Sequence, residues 1–141
     1  MNEDDLVSRW LNAMLISDVT LAGLTPGGIF EGGAGDATPT PYVYYGMASA
    51  VDLMVVGAIR VWTNMLWDVT AVAQTTDPRV MRPISDRIDD LLHRASGSTV
   101  EGVILSATRQ AMIRRGPERA ENGKLYLYRT QEFRVMAQKA A

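Results

Sequence analysis

Near the N-terminus, Leu6, Val7, Trp10, Leu11, Ala13 and Met14 recur at spacings of three and four, which lines one face of a helix. Asn2 or Asp4 caps it, and Glu3, Asp4 and Asp5 stand where the helix dipole favours negative charge. The pattern ends near residues 16–18, and a short turn is expected through 19–24. Trp10 reads as the core anchor of this helix. Residues 25–41 break the periodicity: they hold three of the six prolines and five of the twelve glycines. Only 27–31 are expected to form a short strand or turn; the rest is loop by composition.

From residue 42 the period falls to two. Residues 42–49 are aromatic and β-branched and follow a proline, as a strand start does. In 59–74, Val61, Thr63, Met65, Trp67, Val69, Ala71 and Ala73 share one face, and a more polar set shares the other, so a long half-buried strand is expected. Residues 50–58 between them form an apolar connector or extend the hairpin arms. Asp77-Pro78 then signals a helix start. It is followed by an apolar stripe of Val80, Ile84, Ile88, Leu91, Leu92 and Ala95 that ends at Ser96-Gly97. Two further strands, 100–113 and 124–137, flank a polar loop at 114–123 and read as an antiparallel hairpin. The expected fold is α+β, a single domain over residues 1–141: a mainly antiparallel sheet of about four to five strands with two main helices packed on one face.

Composition narrows the function. The chain has 141 residues, 47% of them hydrophobic and 21% charged, within the range of one folded domain. No apolar run approaches the ~20 residues of a spanning helix, and the N-terminus is acidic where a secretory signal is basic. Cysteine is absent and there is one histidine. This removes disulfides, thiolate chemistry and a histidine-based metal cluster, so neither cofactor nor metal is expected and the chain does not read as an enzyme. GGAGD, residues 32–36, lacks the Gly-Lys-Ser/Thr ending and following helix of a phosphate loop. His93 reads as a packing or surface residue. Asp86, Asp89 and Asp90 lie on an outward helical face without apolar cover to shift a pKa.

The net charge of −2 is unevenly spread. Residues 109–139 carry eight basic residues (Arg109, Arg114, Arg115, Arg119, Lys124, Arg129, Arg134 and Lys139) against three acidic ones, a net +5, and the remainder carries −7. Such asymmetry suits contact with a complementary partner, a second copy or nucleic acid.

The order of parts carries a family resemblance. A helix is followed by a glycine-rich segment with Ile29-Phe30, by Pro41-Tyr42-Val43-Tyr44-Tyr45, and by a long strand running through Thr75-Thr76-Asp77 into a helix ending Leu91-Leu92-His93. A hairpin closes the chain on Tyr128-Arg129-Thr130-Gln131-Glu132-Phe133-Arg134-Val135. This resembles the tail terminator, or tail completion (tail-to-head joining), proteins of long-tailed bacteriophages over nearly the whole chain. The resemblance implies a virion protein, assembled in the bacterial host cytoplasm, that forms a six-membered ring on the head-proximal end of the tail tube. The ring ends tube polymerisation and receives the head. Its implied partners are other copies, the major tail tube protein, a head-completion or connector protein, and genomic DNA passing through without sequence-specific binding; no membrane is involved.

Two sets of residues are candidates for the interfaces of such a ring: the apolar Leu53, Met54, Val55 and Val56, and the basic Arg109, Arg114, Arg115, Arg119, Lys124 and Arg129. Ring closure needs two different patches to meet on neighbouring copies. Met47, Met54 and Met65 add adaptable surface, or alternatively fill the core. A head-completion protein is the nearest alternative. A nucleic-acid binder, with Arg109, Arg114, Arg115, Arg119 and Lys124 on phosphates and Tyr126 and Tyr128 stacking bases, is opposed by the acidic pI of about 5.3.

Overall fold

The computed structural model describes residues 3–35, 38–55 and 59–140, with the side chains of all but 52–61. In chain order the elements are α1 (Glu3–Ile16), α2 (Val19–Leu24), β1 (Ile29–Glu31), β2 (Tyr42–Val55), β3 (Ile59–Ala73), a 3₁₀ turn (Pro78–Val80), α3 (Arg82–Leu92), β4 (Gly97–Thr99), β5 (Gly102–Arg119) and β6 (Leu125–Lys139). The strands form one curled six-stranded sheet in the order β1-β2-β3-β6-β5-β4. All pairs are antiparallel except β1 with β2.

The expected architecture is present, with four corrections. The sheet has six strands, because β1 and β4, three residues each, complete its edges. Residues 19–24 form a helix, since the Asp18 carboxylate accepts the Leu21 N–H at 2.8 Å and caps it. Asp77-Pro78 starts only a 3₁₀ turn; α3 begins at Arg82-Pro83 and stops at Leu92, short of Ser96-Gly97. The sheet edge captures the chain there: Arg94, at φ 63°, donates to the Ala107 carbonyl and Ala107 donates to that of Ala95. Finally, β5 continues through residues 114–119, which composition marks as loop. A register shift between Arg115 and Glu118 absorbs Gly116-Pro117, so the strand resumes beyond them.

The period-two readings hold. Thr63, Met65, Trp67, Val69, Ala71 and Ala73 of β3, with Gln131, Phe133, Val135 and Ala137 of β6, are buried under the helices. Against them pack Leu6, Val7, Trp10, Leu11 and Leu15 of α1, Leu21 of α2, and Ile84, Ile88 and Leu92 of α3. Thr70 and Val72 point to the helix-free face yet are also buried. Close approach of backbone or side chains restricts two glycines. A Cβ on Gly102 would lie 2.7 Å from Leu6 Cδ2 and 2.4 Å from the Gln138 carbonyl oxygen, and one on Gly97 would lie 3.2 Å from Trp10 Nε1.

Candidate interaction surfaces

The apolar set and part of the basic set lie at opposite ends of the sheet. The last β6 partner of β3 is Ala137, opposite Thr63, so Ile59–Trp62 pair only with Leu53, Met54 and Val55 of β2. The apolar connector is thus an extension of the hairpin through Val55, a two-stranded arm, while Val56 lies outside the described residues. At the other end Ala73 pairs with Leu127, and beyond it Leu125 and Tyr126 pair only with Arg119 and Glu118 of β5. This second two-stranded tip carries Arg119 and Lys124, with Arg115 at its base opposite Tyr128. The 15 residues of β3 separate the ends by about 50 Å at ~3.3 Å per residue.

The basic tip is partly self-satisfied. Arg115 Nε lies 3.0 Å from Glu118 Oε1, and its guanidinium stands 4.1 Å over the Tyr128 ring. Arg119 Nη1 donates to the Gly123 carbonyl at 2.8 Å, and Asn122 Nδ2 donates to the Tyr126 hydroxyl at 3.0 Å. Between this tip and the glycine-rich loop runs a groove of about 750 Å³ lined by Gly35, Thr38, Tyr42, Arg119, Tyr126 and Tyr128. Tyr128 is already stacked and Glu121 also lines the groove, so base stacking and phosphate contact are not its evident chemistry.

The remaining basic candidates are not part of the tip. Arg109 pairs with Asp89 at 3.4 Å, and its backbone N–H donates to His93 Nδ1 at 3.0 Å. His93 thus serves packing between α3 and β5. Arg114 is exposed one register position beyond Ile113. Arg129 is only 7% exposed; it shares the helix-covered face with Gln131 and pairs in register with Arg114 and Ala71. Burial, Arg114 and Arg82 together push its guanidinium below the ordinary arginine range. Of the carboxylates considered for catalysis, Asp86 and Asp90 are exposed on α3 and Asp89 is ion-paired. Among the described residues no group of three or more His, Asp or Glu side chains is arranged to hold a metal, and no helix is long and apolar enough to cross a membrane.

Two features escape the linear pattern. Asp68 and Glu132 stand opposite each other on the helix-free face, and burial together with Glu132 pushes the Asp68 carboxyl above the usual range. Their contact depends on the β3–β6 register, which only the fold supplies. The second feature is open edges. β1 covers β2 only at Val43–Tyr45, where the loop adds one bond to the Tyr45 carbonyl, so β2 from Met47 onward has no outer neighbour among the described residues. Met47 and Val51 are 44% and 62% exposed there. β4 covers β5 only at Gly102–Ile104, leaving β5 beyond Arg109 open as well.

The sequence matches no protein-family model and none of the curated proteins. The fold, however, is similar to that of a chain solved in the virion of a native gene transfer agent particle. The TM-score is 0.75 at 14% identity, covering 92% of this chain and 92% of that one. What the two chains share is the fold.

Proposed function

We propose that this chain is a structural protein of a phage-like virion, a tail terminator whose copies form a ring at the head-proximal end of the tail tube. The observation that carries the reading is the fold likeness over 92% of both chains to a component of a virion particle. It agrees with the tail-terminator resemblance carried independently by the order of elements. The polarity of the subunit suits the role: an apolar arm at one end serves the tube, and a basic tip at the other serves the head-proximal partner. The open edges of β2 and β5 suit a heterologous contact between neighbours. β2 and β5 run in opposite directions, so neighbours in one orientation would pair these edges antiparallel. Because the open stretches lie toward opposite ends, such pairing would be staggered along tilted strands. DNA then passes through the lumen without sequence readout.

The test is removal of this chain from a host that makes the particle, followed by electron microscopy. Tails of uncontrolled length without heads support the reading. Tails of native length beside filled, unjoined heads would reassign the chain to head completion. Intact particles would overturn both.

A further inference from the structure

The loop that joins β5 to β6 carries the one Asn-Gly pair of the sequence, Asn122-Gly123. The Gly123 N–H donates to the Ala120 carbonyl and the Ala120 N–H to that of Lys124, both at 2.9 Å, so Glu121 and Asn122 are the centre of a β-turn. Gly123 follows at φ 79°, the left-handed conformation that closes a three-residue hairpin loop. Residues 121–124 are all exposed. A Cβ on Gly123 would meet nothing within 4 Å, so the main-chain nitrogen beside Asn122 is open on that flank. The Asn122 side chain is held within the loop: Oδ1 accepts the Lys124 N–H at 2.9 Å and Nδ2 donates to the Tyr126 hydroxyl at 3.0 Å. The first of these bonds polarises the amide carbonyl and stands where negative charge would grow on attack at Cγ. Arg119, which reaches the Gly123 carbonyl at 2.8 Å, sets a cation beside the same residue and favours loss of its N–H proton. The bond from Gly123 to Ala120 opposes attack. It opens readily, because the tip beyond Ala73 and Leu127 is only two strands wide.

We infer that Asn122 is a site of spontaneous deamidation, which changes both the charge and the backbone of the tip as the protein ages. The Gly123 nitrogen, giving its proton to solvent base, bonds to Asn122 Cγ. The Cγ–Nδ2 bond breaks, and the amide nitrogen leaves as ammonia after taking a proton from water. Water then opens the five-membered imide at one carbonyl or the other, leaving aspartate or isoaspartate. No enzyme or cofactor enters the balance. Residues 114–124 hold four cations against two carboxylates, and the product adds a third carboxylate. Isoaspartate also lengthens the main chain by one carbon inside the turn that the two Ala120 bonds close. Asn12 and Asn64 are controls within the chain. Asn12 precedes Ala13 in α1 and accepts the Tyr45 hydroxyl, and Asn64 precedes Met65 inside β3, paired on both sides. At both, a regular backbone held by its hydrogen-bond ladder keeps the next nitrogen from Cγ. The inference is independent of the virion role.

The test is incubation of the full chain in mildly acidic and mildly alkaline buffer. It is read by peptide mapping with mass spectrometry and by methyl transfer from an isoaspartyl methyltransferase. The peptide holding Asn122 should gain one dalton and accept methyl groups, at a rate about tenfold or more above the peptides holding Asn12 and Asn64. The rate should rise by about tenfold per pH unit, since the attacking nitrogen must first lose its proton. Asn122→Gln, whose longer side chain would need a six-membered ring, should lose both signals. Aged wild type should also elute later from an anion exchanger, in proportion to the modified fraction. No gain at Asn122 above that at Asn12 and Asn64, a rate indifferent to pH, or signals that persist in Asn122→Gln would overturn the inference. A one-dalton gain without methyl acceptance overturns it too, because it means that water and not Gly123 attacks the amide.

Discussion

Asp18 is the most informative single position for the stability of the helical layer. Its carboxylate accepts the Leu21 N–H and caps α2, and it takes Arg87 of α3 in a two-pronged grip, Nε at 2.8 Å and Nη2 at 2.5 Å. The two side chains are 12% and 33% exposed. The Arg87 hydrogen bonds, the Leu21 N–H and the Arg87 charge outweigh burial and hold the carboxyl at about 2, against an ordinary 3.8. Such a difference corresponds to about 2.4 kcal/mol at 1.36 kcal/mol per pH unit, which solvent screening of the half-open pair reduces to about 1–2 kcal/mol. Asp18→Asn keeps a good cap and loses the charge, so it should cost about 1–2 kcal/mol at pH 7. Asp18→Ala loses the cap as well and should cost about 1 kcal/mol more.

The pH dependence follows from the direction of the shift. A lowered folded-state pKa stabilises the fold above the unfolded value and is lost as pH falls toward the folded one. The cost of Asp18→Asn should therefore be unchanged from pH 7 to 5, about halved at pH 3, and absent below about pH 2. Urea titration followed by tryptophan fluorescence reads this directly, because Trp10 and Trp67 are buried. A cycle with Arg87→Gln should give a coupling of about 1 kcal/mol or more at pH 7. Equal costs at pH 7 and pH 3, or coupling below about 0.3 kcal/mol, would refute the reasoning.

Gly102→Ala should destabilise by about 2–4 kcal/mol in chemical denaturation, since its Cβ would meet backbone of Gln138 and the side chain of Leu6 at once. Phe133→Ala, at a fully buried position on the helix-covered face of β6, should cost about 3–5 kcal/mol. Reversing Arg115, Arg119 and Lys124 to Glu should leave the melting temperature nearly unchanged, because exposed charges contribute under ~1 kcal/mol each. The same reversal should block head attachment in an in vitro joining assay, and normal joining would show that the tip is only solvated. Leu53→Asp or Val55→Asp should leave a folded subunit by circular dichroism that fails to limit tail length; unfolding, or tails of native length, would reject the arm as an interface.

Much of this molecule is local in origin and therefore legible in the chain. The three-and-four spacing of α1, the strict alternation of β3 and β6 and the apolar stripe of α3 each follow from which face of an element must leave water. The charge split and the apolar run at 53–56 also stand in the sequence. Three things depended on neighbours far along the chain. Where α3 stops was set by the β5 edge, which captures Arg94 and Ala95. The strand length of β5 was set by the continuous template of β6, which carries pairing past Gly116-Pro117 despite their turn-like composition. The division of the basic residues was set by register and curl: these put Arg119 at an exposed tip with Arg115 at its base and Arg109 on Asp89, and they bury Arg129 beneath α3. A side chain's face follows from its own segment, but its partners and its access to water follow from what the fold lays across it. For that reason the sequence marked the cations, and only the tertiary structure decided which of them could meet another molecule.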